Sequence, residues 1–213
     1  MNFQDFVSLG PNLRKISLPG EEAHYKLAPM LRLREMENLN IEQKKPHQAA
    51  VMAVFYPGRQ EETKFVLILR KTYKGVHSNQ VGFPGGRAEE YDRDLLETAL
   101  RETEEEVGIP QQEVKLLREL TKLYIPPSNF WVQPFMGIMQ RTPILVPQET
   151  EVESVIEIDI EDFLSDSCLT RRRLSTSYAK NIDVPAFLLN GHVVWGATAM
   201  MLSEMKEILR QAL

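Results

Sequence analysis

The segment Leu95–Val107, LLETALRETEEEV, does most to restrict the fold. It carries helix punctuation at both ends: Asp92 or Asp94 can cap its start, and Gly108 with Pro110 stops it. At about 100° per residue, Leu96, Ala99, Leu100, Thr103 and Val107 fall on one side and need another layer to bury them. Glu102, Glu105 and Glu106 fall on the far side, within an arc of roughly 100°. Like charges one turn apart weaken a helix. A solvated face would intersperse basic residues, and Arg101 alone does so, one turn from Glu97 and from Glu105. Either the face is simply hydrated or a cation sits against it. Three carboxylates on a rigid helix suit Mg²⁺ or Mn²⁺.

The flanking segments say what the helix packs on. AAVMAVFY from Ala49 and KFVLILR from Lys64 read as buried strands of a hairpin across PGRQEET. The loop KTYKGVHSNQVGFPGG follows and ends in a tight turn. Backbone N–H groups at such a turn and at a helix start can meet phosphate oxygens, so turn and carboxylate face together suggest a polyphosphate and metal arrangement. Downstream, VKLLRELTKLY, FWVQPFMGIM and ESVIEIDI read as strands, and VPAFLLNGHVVWG as a hairpin about Asn190-Gly191. ATAMMLSEMKEILRQAL has helical spacing. Residues 1–45 read as a polar, irregular extension packed on a domain spanning 46–213, with LRLREMENLNIEQKKP as a charged linker. Strands mixed with a few helices predict an α/β or α+β layered domain. The Gly-rich turn lacks the G-x-G-x-x-G spacing of a doubly wound nucleotide fold.

Charge and composition narrow the function classes. A net charge of -5 argues against a grip on nucleic acid, though metal ions can bridge an acidic protein to a polyphosphate. The single cysteine, Cys168, allows neither an internal disulfide nor a cysteine zinc cluster. No secretory leader and no apolar run of about 18 residues is visible, so the expectation is a cytoplasmic protein without a membrane partner.

Arg101, Glu102, Glu105, Glu106, Gly108 and Ile109 resemble the second half of the Nudix hydrolase signature: Arg-Glu, aliphatic, any, Glu-Glu, any, Gly, aliphatic. Thr103 stands at the aliphatic position, and the spacing from Gly86 to Arg101 is one residue longer than the family's. That leaves Arg93 where the family has a Glu that pairs with the Arg, with Asp92 and Asp94 beside it. The segments Val66–Arg70 and Phe83–Gly86 are similar to the motif of the coenzyme A pyrophosphatase branch, but Lys71, Gly75 and Asn79 depart from it. HSNQVGFPGG, YIPPSNFWVQPFMG and VVWGATAMMLSE resemble the same branch.

The resemblance implies a Nudix fold, a mixed sheet sandwiched between helices. It also implies metal-dependent hydrolysis of a nucleoside diphosphate derivative: coenzyme A or its thioesters, giving 3',5'-ADP and 4'-phosphopantetheine. ADP-ribose or NADH-type dinucleotides are the alternative substrates, and a non-catalytic ligand-binding regulator is the alternative outside enzymes. On this reading Glu102, Glu105 and Glu106 hold Mg²⁺ or Mn²⁺, Arg101 orients them, and Glu105 or Glu151 takes the proton of the attacking water. Substrate contacts are expected from Arg70, His77, Gln80, Gly85, Gly86, Ser128 and Asn129. Homodimerisation stays open.

Overall fold

The computed structural model describes residues 1–30, 32, 41–72, 78–175 and 181–213. Its main sheet holds β1 (His47–Pro57), β2 (Thr63–Arg70), β3 (Val81–Gly82), β4 (Gly85–Arg87), β5 (Lys115–Glu119), β6 (Leu123–Ile125), β7 (Phe130–Ile138) and β8 (Val152–Asp159). The expected hairpin forms, with β1 and β2 antiparallel and Phe55 opposite Phe65. Beside it β1 runs parallel to β7, which also pairs with β5 and β6. β2 takes β3 and β8 as partners, and β4 pairs with the first half of β1.

Successive side chains of β1 point to opposite faces. Ala50, Met52, Val54 and Tyr56 are buried in one apolar cluster, and Ala49, Ala53 and Phe55 in another. A strand covered on both faces must be apolar throughout, which explains the unbroken run AAVMAVFY.

Helices cover those faces. α1 (Phe3–Ser8), α2 (Gly10–Lys15) and α3 (Glu21–Lys26) come before the sheet; α4 (Leu95–Val107), α5 (Ile160–Leu164) and α6 (Gly196–Ala212) come after its first strands. The α4 stripe joins the cluster of Ala50 and Met52, while α1, α5 and α6 share the cluster of Ala53 and Phe55. The molecule is therefore a mixed α/β sandwich. A second sheet, β9 (Leu169–Leu174), β10 (Ile182–Leu189) and β11 (His192–Trp195), leads into α6. The β10–β11 turn is Asn190-Gly191, both at positive φ as a tight hairpin requires.

Two expectations need correction. Residues 1–30 are not irregular: three short helices bury Phe3, Phe6 and Leu13, and the Phe6 ring stacks on Phe55 at 4.6 Å. VKLLRELTKLY is two strands, interrupted where the Thr121 N–H donates to Glu204 of α6 at 3.0 Å. β9 carries three consecutive arginines, yet it pairs with β10 along six positions. Most of LRLREMENLNIEQKKP lies outside the described residues.

Candidate active site

The α4 helix starts where the Asp94 side chain accepts the Glu97 N–H at 2.8 Å, and it ends at Gly108 in the left-handed conformation, φ 75°. Ala99, Thr103 and Val107 are buried as the stripe requires. Thr103 satisfies its hydroxyl on the Ala99 carbonyl at 2.6 Å, so a polar residue sits at the aliphatic position with nothing left unpaired.

Arg101 is the hub of the polar side. Its Nε and Nη2 donate to the two Asp92 oxygens, each at 3.0 Å, and its Nη1 donates to Glu102 at 2.8 Å and Glu105 at 3.3 Å. Asp92 also accepts the Thr98 hydroxyl at 2.8 Å and the Glu89 N–H at 2.9 Å, and its side chain is only 2% exposed. The Arg101 hydrogen bond holds the Asp92 carboxyl well below the usual carboxylate range, with those neutral donors adding to it. The same bond, first of all, pushes Arg101 up. Asp92 thus makes the two-point pair that the lengthened spacing removed from the usual Glu position. Arg93, which stands there, is exposed and pairs with Glu97 instead.

Glu106 departs from the expected outward face. Its side chain is 1% exposed, and it accepts the Gly85 N–H at 2.8 Å and faces the Arg70 guanidinium at 3.4 Å. The flank of α4 on which it lies meets β4 and the end of β2 rather than water. Burial pushes its carboxyl up to about 7, against the opposing pull of Arg70 and the Gly85 N–H. Its Oε1 is buried without a hydrogen-bond partner. Burial likewise raises Glu102, with Arg101 opposing.

Gly85 and Gly86 set the distance between strand and helix. A Cβ on Gly85, at φ +147°, would stand 2.3 Å from the Ala50 carbonyl oxygen. One on Gly86 would stand 2.5 Å from a Glu102 carboxylate oxygen. Only glycine lets Glu102 and Glu106 reach the turn.

Beyond the turn, across β1, opens a cavity of about 330 Å³. Arg70, Gln80, Gly85, Gly86 and Ser128 all line it, so five of the residues expected to contact substrate border one cavity. Val51, Phe83, Ile125, Phe130 and Met201 make much of the rest apolar. Glu151, 53% exposed, stands 3.9 Å from Arg70. Asn129 is used otherwise: at φ 55° it accepts the Tyr124 hydroxyl at 2.9 Å and donates to the Lys44 carbonyl at 2.9 Å, fixing the turn after Pro127. His77 lies outside the described residues. The sequence reading did not anticipate the cavity walls given by Pro29 and Arg32 and by the start of α6.

Among the described residues no three acidic, His or Cys side chains form a ready cluster for a metal ion. Arg101 holds Glu102 and Glu105, and Arg70 holds Glu106. The donor set still suits a hard divalent cation: all oxygen, on one helix, with a buried Glu106 Oε1 that faces Arg70 at 3.4 Å but accepts no hydrogen bond.

Comparison with known proteins bears on this arrangement. Residues 46–175 match the family model of the NUDIX domain. The chain is 33% identical over 162 residues to the uncharacterized Nudix hydrolase NudL of Pectobacterium atrosepticum, covering 75% of this chain and 82% of that one. It is 29% identical over 174 residues to Nudix hydrolase 22, chloroplastic, of Arabidopsis thaliana, covering 78% of this chain and 57% of that one. Among solved structures, the MutT protein of Methanosarcina mazei aligns over 76% of this chain and 95% of that one, at 15% identity and a TM-score of 0.49.

Proposed function

The chain belongs to the Nudix hydrolase family, and from that premise we propose that it hydrolyses the pyrophosphate bond of a nucleoside diphosphate derivative, with coenzyme A or its thioesters as the preferred class. One observation carries the reading: Arg70, Gly85 and Gly86 line the cavity on one side and touch or closely approach the carboxylates of α4 on the other. A diphosphate placed at that turn meets cation, backbone and carboxylates together. The apolar lining suits the uncharged arm of a coenzyme A type substrate, and Arg70, Phe83, Gly85 and Gly86, from the segments similar to the coenzyme A branch, line the same cavity.

In the proposed mechanism Glu102, Glu105 and Glu106 hold Mg²⁺ or Mn²⁺, which supplies charge neutralisation for the diphosphate and a lower pKa for water. Arg101, itself fixed by Asp92, orients Glu102 and Glu105. Glu105, 50% exposed, and Glu151 are the two carboxylates open enough to accept a proton from the attacking water at an Oε atom. Arg70 steadies Glu106 and the diphosphate oxygens nearest the turn.

The test is a product-resolved assay with Mg²⁺ over coenzyme A, an acyl-coenzyme A, ADP-ribose and NADH. The expected result is release of 3',5'-ADP and 4'-phosphopantetheine, with coenzyme A forms turned over fastest. Faster turnover of ADP-ribose or NADH would remove the coenzyme A assignment, and no turnover of any diphosphate would favour a binding regulator.

A further inference from the structure

The cavity has a charge opposite to that of its chain. The protein carries a net charge of -5, yet among the described residues the wall holds Arg32, Arg70 and Arg87 and no Asp or Glu. Arg70 and Arg87 belong to the diphosphate side: Arg70 faces Glu106, and Arg87 closes β4 and offers its carbonyl to Arg101. Arg32 comes from the N-terminal segment. It is buried, and its Nη2 donates to the Tyr124 carbonyl of β6 at 2.6 Å. Since β4 and β6 flank the β1–β7 pair from opposite sides, Arg32 stands across the sheet from the glycine turn.

Two further features share that wall. Gly196, Ala197 and Thr198, the first turn of α6, line the cavity, and the cap residue Trp195 gives the turn's N–H groups no side-chain acceptor. A helix start with open N–H groups attracts an anion. The Ser128 hydroxyl oxygen is buried in the same lining with no hydrogen-bond partner. Such a group is costly until an acceptor reaches it, and the residue that carries it lines the cavity.

We propose that Arg32, the Ser128 hydroxyl and the first turn of α6 form a second oxyanion subsite, which reads a phosphate-type anion carried by the substrate in addition to its diphosphate. The proposal rests on the hydrolase reading for the diphosphate side only. It makes the N-terminal segment part of substrate selection.

The test is calorimetric titration with adenosine 3',5'-bisphosphate and with AMP, run beside turnover of coenzyme A and dephospho-coenzyme A. The wild-type protein should bind the bisphosphate about tenfold more tightly than AMP, and kcat/KM should favour coenzyme A by a similar factor. Arg32→Gln should lose most of that preference. Ser128→Ala, which leaves the packing of the N-terminal helices alone, should lose about threefold of it. Arg70→Ala should weaken both ligands alike. Equal binding of the two ligands by the wild type, or a preference undiminished in both variants, would overturn the subsite. A preference that tracks the variants with no hydrolysis of either coenzyme A form would uphold the subsite and count against the hydrolase reading instead.

Discussion

Glu106 and Asp92 are two carboxylates with opposite environments, and their behaviour should differ accordingly. Glu106 is pushed up to about 7 by burial, so the metal-free fold favours its protonated form. Stability from this group is therefore complete below its unfolded pKa near 4.5 and is lost as pH rises through about 7, by on the order of 1–3 kcal/mol. In chelator, Glu106→Gln should be more stable than the wild type at pH 8 by roughly that amount and nearly equal to it at pH 4.5, as read by urea denaturation. A wild-type protein that gains stability from pH 5 to 8 relative to the variant would show that Glu106 is not strained. Asp92 is held in the charged form by Arg101, and releasing that pair frees Arg101 from its anchor. Asp92→Asn should lower kcat by about tenfold or more with a smaller change in KM, because the glutamates lose their orientation rather than their charge. Unchanged kcat would make Asp92 a purely structural partner. Both roles were only half legible. The carboxylates themselves stand out in RETEEEVGI, and Asp92 sits beside the displaced family position. Which of them is buried depends on Arg70 and Gly85, contacts that local spacing cannot show.

Between elements, the glycine turn of β4 and the helix α4 act as one unit, and the two glycines should fail differently. A side chain on Gly85 meets the Ala50 backbone, which cannot yield, whereas one on Gly86 meets the mobile end of Glu102. Gly85→Ala should therefore cost more than about 1 kcal/mol of stability. Gly86→Ala should keep the fold, as judged by its thermal midpoint, and lose activity by displacing Glu102. The reverse pattern would contradict the close approach described for this turn. The hairpin, α4 and α6 were legible because each is long and punctuated: apolar runs, an Asp cap, a Gly stop, a helical repeat. The N-terminal helices were not. Each spans six residues, too short for a period to show, and their anchors Phe3, Phe6 and Leu13 find their partners on the sheet and α6.

At the scale of the whole molecule, two covered faces of one sheet give the cavity on one side and the acidic helix on the other, joined around β4. The core clusters contain none of the proposed metal ligands. Chelation should then abolish turnover while leaving the unfolding transition cooperative, and added Mg²⁺ or Mn²⁺ should restore the rate; unfolding in chelator would point to a structural ion. The central claim is that the glutamates of α4 carry the chemistry of diphosphate hydrolysis. Its most direct test is the single-turnover rate of coenzyme A cleavage at saturating Mg²⁺ for the wild type and for Glu105→Gln and Glu106→Gln. The account predicts that both variants fold and lose about 10²-fold or more in rate, as removal of charge at the developing transition state requires. Folded variants that cleave at near the wild-type rate would contradict it.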